Sequence, residues 1–211
     1  MASSLNICLV IGGSGWTGSY IVNQLLQEAK EYDTSIEVHV MDIEVPVSRE
    51  ELRNLHEEII TPNGPVSIAN KITYHQCDIT NSEEVVDKIK EINPNCVFHT
   101  ASIVDLRKFP SHLLERVNIH GTFNILKGLY DLLKSDRETY RFMVYTSSID
   151  VVADKHGVSH ANEETPYTEY PSNHYKGSKI VAETEVLRGN GDFCGHLRTC
   201  ALRPSHIFGP G

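Results

Sequence analysis

The sequence predicts a doubly wound α/β fold, in which helices cover both faces of a parallel sheet. Short runs rich in Val, Ile and Phe alternate along the chain with longer segments whose apolar residues recur near i, i+3 and i+4. Parallel neighbours need a long crossover between them, so this alternation, with strands that read as buried on both faces, specifies a parallel sheet. The first apolar run also feeds directly into a cluster of glycines and then into a helical pattern.

Taken in order, the first strand is Asn6–Ile11, followed by Gly12-Gly13-Ser14-Gly15-Trp16-Thr17-Gly18 and a helix over Thr17–Ala29. The second strand, Ile36–Met41, stops at Asp42. From Glu44 to Asn70 the rhythm breaks: Pro46, Pro62, Gly64 and Pro65 surround the charged stretch Arg49–Glu58, which reads as a short surface helix with loops. The third strand, Ile72–Cys77, stops at Asp78, and a helix over Ser82–Glu91 leads to the fourth, Cys96–Thr100. A long helix over Ser111–Lys134, a strand over Phe142–Thr146, a helix over Ser172–Leu187 and a last strand over Leu197–Leu202 complete the pattern. No internal repeat or low-complexity tract is present.

Composition bounds the function. At 211 residues with 40% hydrophobic content, the chain suffices for one domain spanning 1–211 with a sizeable core. Its formal charge of −9 is spread along the sequence, which argues against nucleic acid or an anionic lipid surface as the main partner. The 5 cysteines (Cys8, Cys77, Cys96, Cys194, Cys200) have no Cys-x-x-Cys spacing, and all but Cys194 lie in or beside predicted strands, so they read as buried free thiols. Met1-Ala2-Ser3-Ser4-Leu5 lacks the basic start of a signal peptide, and no apolar stretch is long enough to span a membrane. A soluble domain of a reducing intracellular compartment is expected.

The glycine triplet at positions 12, 15 and 18 gives the first chemical reading. Gly12 permits the tight turn, Gly15 lets backbone N–H groups approach a pyrophosphate, and Gly18 lets the helix pack close on the sheet, with the phosphate at the helix N-terminus. Strand-turn-helix context turns a weak motif into a dinucleotide site of Rossmann type. Asp42, at the end of the second strand, can accept hydrogen bonds from a ribose diol and would repel a 2′-phosphate, which favours NAD over NADP; the alternative is that it only caps a turn. Asp78, in Cys77-Asp78-Ile79, is placed to meet an adenine amino group, with turn capping nearly as good a reading.

Taken with Asp42 and Asp78, the glycine triplet joins the strings His99-Thr100-Ala101-Ser102, Val117-Asn118-Ile119-His120-Gly121-Thr122, Tyr145-Thr146-Ser147-Ser148-Ile149-Asp150-Val151, Tyr175-x-x-x-Lys179 and Leu202-Arg203-Pro204-x-x-Ile207-Phe208-Gly209-Pro210. In this order the motifs resemble the extended short-chain dehydrogenase/reductases, and within them the 3β-hydroxysteroid dehydrogenase/isomerase and sterol-4α-carboxylate dehydrogenase branch. The resemblance implies an NAD-dependent oxidation of a steroid or sterol hydroxyl to a ketone. It implies cofactor contacts from Gly12, Gly15, Trp16, Thr17, Gly18, Asp42, Asp78, Ile79, Thr100, Ala101, Ser102, Tyr175, Lys179, Pro204 and Ser205. It also implies that family chains continue past Gly211 into a lobe forming most of the substrate pocket, so that an apolar patch is expected where that lobe packs. Cytoplasmic location with endoplasmic-reticulum association, and a homodimer, are further implications.

Two Tyr-x-x-x-Lys pairs occur, Tyr130/Lys134 and Tyr175/Lys179, each on one helix face. The first follows no serine-bearing strand and reads as a solvated pair. The second follows the strand that ends in Ser147 and Ser148, which could bring three groups together at the carboxyl edge of the sheet. A phenol of pKa near ~10 is useless as a base at neutral pH; Lys179, one turn on, is expected to lower it. Ser148, chosen over Ser147 from the family pattern, would donate a hydrogen bond to the substrate oxygen. Asn118 is a candidate for positioning a water near Lys179, although a helical asparagine is more often a local hydrogen-bonding residue. Thr17 stands where the family usually has an aliphatic residue, at a helix start where threonine can cap. His156, His160, Glu163 and Glu164 look metal-like only superficially, because they sit in a polar loop, and no metal is expected. The same residues would serve a nucleotide-sugar epimerase or dehydratase, or a non-catalytic NAD-binding module.

Overall fold

The computed structural model describes residues 6–45, 60–61, 64–65, 72–107, 111–153 and 157–209. The strands of the main sheet are β1 (Asn6–Ile11), β2 (Ile36–Asp42), β5 (Ile72–Gln76), β6 (Cys96–His99), β7 (Arg141–Thr146) and β8 (Leu197–Leu202). Every pairing among them is parallel, in the order β5-β2-β1-β6-β7-β8. The order reverses between β1 and β6, and open α/β sheets bind ligands at such a switch point. β3 (Ile60–Thr61) and β4 (Gly64–Pro65) form a small antiparallel ladder, whereas the surface helix expected over 49–58 lies outside the described residues.

The helices are α1 (Trp16–Glu31), α2 (Ser82–Ile92), α3 (His112–Glu115), α4 (Thr122–Ser135), α5 (His174–Arg188) and a short α6 (Asp192–Gly195). A π-helical stretch, Arg116–Gly121, joins α3 to α4, so the single helix expected over 111–134 is one axis with an over-wide turn in it. Side-chain oxygens define three starts: Asn81 accepts from the Glu84 N–H at α2, Ser111 from the Leu114 N–H at α3, and Asn173 from the Lys176 N–H at 2.9 Å at α5. Thr17 is not a cap. α1 begins one residue earlier, with Gly15 as its uncapped N-cap.

Apolar stripes of α2, α4 and α5, including Val85, Ile89, Ile125, Leu129, Leu133 and Val186, bury one face of the sheet over Leu9, Ile11, Val97, Met143 and Leu197. On the other face α1 places Val22 and Leu26 over Val10, Val38 and Val40. The expectation of burial on both faces therefore holds for the centre and fails at both edges, β5 exposing Thr73 and Gln76. Burial alternates along β7 and β8, and the outer face exposes Phe142 (46%), Leu202 (57%) and Cys200. Cys200 is thus not a core thiol, because no described helix covers its side of the edge strand. Cys194 is exposed also, while Cys8 and Cys77 are buried. At the amino edge of the sheet, Arg141 is 1% exposed and donates to the carbonyls of Asn93 (3.1 Å) and Pro94 (2.6 Å), to Asn93 Oδ1 (2.7 Å) and to Asp136 Oδ2 (3.2 Å).

Candidate active site

The carboxyl ends of the strands open onto a cleft of about 940 Å³, lined by the glycine loop, the ends of β2, β5, β6 and β7, the start of α5 and the 204–207 turn. The three glycines have different reasons to be glycine. Gly12 has φ +81°, and a Cβ there would lie 2.5 Å from the Ala101 nitrogen. A Cβ at Gly18 would enter the Gly12 carbonyl oxygen and stand 2.6 Å from Gly13 Cα. At Gly15 the added carbon would meet only the Gly12 oxygen, at 3.3 Å. Gly12 and Gly18 are thus required by the fold, while Gly15 leaves the first turn of α1 open to the cleft. Beside it, Ser14 Oγ is buried without a hydrogen-bond partner among the described residues.

Asp42 closes this loop from β2. Its Oδ2 accepts from the Ser14 N–H at 3.0 Å and its Oδ1 from the Ile43 N–H at 2.8 Å, so the capping reading is realised, yet the carboxylate still lines the cleft with lone pairs to spare. Asp78 likewise caps its turn, accepting from Thr80 N at 2.9 Å, and lines the cleft beside Ile79. Thr100 ties β6 to β1 by donating to the Ile11 carbonyl at 2.9 Å, and Ala101 and Ser102 continue the wall. Asn118 has all four side-chain positions engaged. It accepts from Ser102 Oγ (3.2 Å) and Ile103 N (2.8 Å) and donates to the Ile103 carbonyl (2.9 Å) and Ser178 Oγ (3.0 Å). Its side chain is a local brace between the loop after β6 and α5, in keeping with the local hydrogen-bonding reading.

Ser148, Tyr175 and Lys179 come together at the cleft. Ser148 follows β7 and starts a 3₁₀ turn (Ile149–Val151), its Oγ accepting from the Asp150 N–H at 3.2 Å. Tyr175 and Lys179, four residues apart on α5, share the face turned to the sheet, and both are buried. Burial raises the Tyr175 phenol above its ordinary range; the neighbouring Ser148 hydroxyl pulls it back, and the nearby Asp150 charge adds to the rise. The expected lowering by Lys179 is not found: the influences on this phenol are burial, Ser148 and Asp150, and burial leads. Lys179 Nζ lies 5.9 Å from the Tyr175 ring centre and 4.9 Å from that of Tyr145, and donates to the Thr146 carbonyl at 2.9 Å. Burial lowers its pKa to about 8, partly offset by Glu183. Ser147 also borders the cleft, but it is buried, and its Oγ has no hydrogen-bond partner among the described residues.

Two buried polar groups near this site were not among the site residues expected from the sequence. His99, on β6, is fully enclosed; burial, aided by the Lys179 charge, depresses its pKa to about 3. Its Nε2 is 2.9 Å from Thr122 Oγ1, which donates to the Asn118 carbonyl at 2.8 Å, so the imidazole is neutral with the proton on Nε2. Glu183, one turn beyond Lys179, has no exposed surface. The i, i+4 continuation of Tyr175 and Lys179 to Glu183 was visible in the sequence, but burial of a carboxylate is not.

Other candidates disperse. Lys134 pairs with Asp131 at the surface (2.9 Å), while burial and Asp192 push the Tyr130 phenol up to about 12. His156 lies outside the described residues; among those described, no three His, Cys, Asp or Glu side chains are placed to hold a metal ion. Pro204 and Ser205 line the cleft, as does Trp16 at the start of α1.

Two solved structures share the fold. A dTDP-glucose 4,6-dehydratase from Bacillus anthracis in complex with NAD (19% identity, TM-score 0.64) covers 93% of this chain and is itself 54% covered. A Thermus thermophilus UDP-glucose 4-epimerase in complex with NAD gives 21% identity, TM-score 0.64 and the same two coverages. Among curated relatives, a decarboxylating sterol-4-alpha-carboxylate 3-dehydrogenase of Candida albicans is 30% identical over 211 residues, covering 100% of this chain and 53% of the relative. Human 3 beta-hydroxysteroid dehydrogenase type 7 is 34% identical over 213 residues, covering 97% of this chain and 51% of the relative. The chain thus spans about half the length of these relatives. The family model for 3-beta hydroxysteroid dehydrogenase/isomerases matches residues 9–211, nearly the whole sequence, and with the parallel sheet, the glycine loop and the Ser-Tyr-Lys cleft in place the chain belongs to that family.

Proposed function

We propose that the chain binds NAD in this cleft and oxidises the 3β-hydroxyl of a steroid or sterol to a ketone, with Ser148, Tyr175 and Lys179 as its catalytic residues. The observation that carries this reading is the convergence of Ser148, Tyr175 and Lys179 on one edge of a cleft whose other border is the glycine loop. The residues present fit a dinucleotide. Ser14 Oγ is a buried orphan in the loop, Gly15 leaves amide groups of α1 open, and Asp42 adjoins both. The acidic Asp42 favours a ribose diol over a 2′-phosphate, hence NAD over NADP. Gly12, Trp16, Thr17, Gly18, Asp78, Ile79, Thr100, Ala101, Ser102, Pro204 and Ser205 would form the remaining walls of the cofactor site.

NAD, when bound, supplies the hydride acceptor. Tyr175 takes the proton of the substrate hydroxyl as the C–H electron pair leaves and the carbonyl forms. Ser148 donates to the substrate oxygen, holding it against Tyr175. Lys179 supplies the positive charge that phenolate formation needs in a buried site. The mouth of the cleft supports an apolar substrate: Val104 (66% exposed), Leu106, Leu113 and Ile207 line it. The lining cations are Arg116, which donates to Thr80 beside Asp78, and Lys179, so a second pyrophosphate would find little to bind.

The purified chain, given NAD or NADP with 3β-hydroxysteroids or UDP-sugars, is expected to form reduced cofactor with NAD and a hydroxysteroid. Tyr175→Phe should abolish this while retaining NAD affinity, and Ser148→Ala should lower turnover by about 10²–10³-fold. A response to UDP-sugars alone would overturn the substrate assignment, and NAD binding without turnover of any substrate would leave a cofactor-binding module.

A further inference from the structure

Glu183 is buried beyond what its hydrogen bonds explain. Arg203 donates to its Oε1 through Nε (2.9 Å) and a terminal nitrogen (2.7 Å), and the Tyr167 hydroxyl adds a third donor at 3.0 Å. All three converge on one oxygen. Among the described residues, Oε2 has no partner, although the side chain is wholly enclosed. An ionic pair buried in this way is a weak source of stability, since apolar replacement of both partners is often neutral or better. A carboxylate with an idle oxygen is a better source of charge than of cohesion.

The position of that charge is specific. Tyr175, Lys179 and Glu183 follow one another at i, i+4 spacing on a single face of α5. Lys179 is almost fully buried, and its ammonium has one carbonyl acceptor, from Thr146. The other groups facing it are His99 from β6, neutral in its buried setting, Tyr145 from β7, and Tyr175 on its own helix. None of these is an anion in this setting. Asp150 acts on Tyr175 from the 3₁₀ turn, and Arg203 stands behind Glu183.

We infer that Glu183 is a positioning residue of the site, whose carboxylate holds Lys179 as an ammonium beside Tyr175 while its clasp on Arg203 anchors the 204–207 turn at the cleft. The direction of the electrostatics agrees, because Glu183 offsets the loss of basicity that burial imposes on Lys179. The inference rests on the catalytic reading of Tyr175 and Lys179, but its test does not need turnover.

With ¹³C-labelled lysine side chains and the Lys179 resonance assigned through Lys179→Met, the pKa of Lys179 is read directly by NMR titration of the full chain. In Glu183→Gln it is expected to fall by about one pH unit or more, as for loss of a nearby opposite charge in a buried site. Glu183→Asp, which keeps the charge, should restore most of it. A Lys179 pKa unchanged in Glu183→Gln overturns the inference. Should that variant fail to fold, Glu183→Gln/Arg203→Gln removes both charges together; a lowered Lys179 pKa is expected there too, and an unchanged one overturns the inference equally. Where the chain turns over a hydroxysteroid, the alkaline limb of kcat/KM should move in step with the NMR value, which a purely structural clasp would not produce. Failure of wild-type turnover refutes the catalytic reading alone and leaves the titration standing.

Discussion

Gly18→Ala tests whether the glycine loop is held by steric necessity. The added methyl would enter the Gly12 carbonyl oxygen and lie 2.6 Å from Gly13 Cα and 2.8 Å from Gly12 C, all backbone atoms. Relief requires the start of α1 to retreat by about 1 Å to reach ordinary contact. That retreat is opposed by the Gly15 N–H bond to the Gly12 carbonyl (3.1 Å), by the Gly12 N–H bond to Met41 O (2.8 Å), and by Val22 and Leu26 packed on β1 and β2. Overpacking at such a site costs about 3 kcal/mol, or a fall in Tm of roughly 6–12 °C for a chain of this size. NAD affinity should drop by at least about tenfold, because the loop that would cradle the phosphates is the part displaced. Gly177→Ala is the matched control. It lies inside α5 with nothing within 4 Å of its added carbon, so alanine should raise stability by about 0.5–1 kcal/mol. Differential scanning calorimetry with calorimetric NAD titration reads both. A Gly18→Ala protein melting within a degree or two of wild type, with undiminished NAD affinity, would refute the steric argument.

The remaining predictions concern charge. His99 is neutral when folded, its pKa depressed to about 3, whereas unfolding exposes a histidine that protonates near its usual ~6.5; the unfolded chain binds more protons, so stability is full above that pH and is lost as pH falls towards 3. Urea denaturation should show a loss of about 2 kcal/mol from this group near pH 5, and a shallower pH slope in His99→Asn; equal slopes would count against it. Asp42→Ala should weaken NAD by about tenfold or more and narrow the gap to NADP, read by calorimetric titration; an unchanged preference would mean that the carboxylate serves only Ser14 and Ile43. Arg141→Met leaves two buried carbonyls without donors and should cost about 2–4 kcal/mol in chemical denaturation with NAD affinity unaltered, since the cleft lies at the opposite edge of the sheet.

The sequence was most legible where a feature is local. Each sheet strand was found within a residue or two because the apolar runs are short and bounded, and the glycine triplet announced itself by spacing within one turn. Tyr175 could be preferred to Tyr130 because a serine-bearing strand precedes it. Features that depend on distant partners were not readable. Burial of Glu183 needs Arg203 and Tyr167, and burial of Arg141 needs Asn93, Pro94 and Asp136. Cys200 was misread because an apolar strand at the edge of a sheet has the same composition as one at its centre. Asn118 reads from the sequence as a local hydrogen-bonding residue, but which partners it takes, Ser102, Ile103 and Ser178, was not readable.

The first strand of the chain is also the middle of the sheet. β1 pairs with β2, which follows within some thirty residues, and with β6, whose partner positions begin at Cys96. During synthesis β1 therefore leaves the ribosome long before the strand that covers its other edge, and at ordinary elongation rates that wait lasts several seconds. A nascent chain arrested before residue 96 would present Leu9, Val10 and Ile11 along an open edge, an invitation to chaperones or to pairing with another chain. Release of that hold should coincide with emergence of β6, which ribosome-arrest profiling could time.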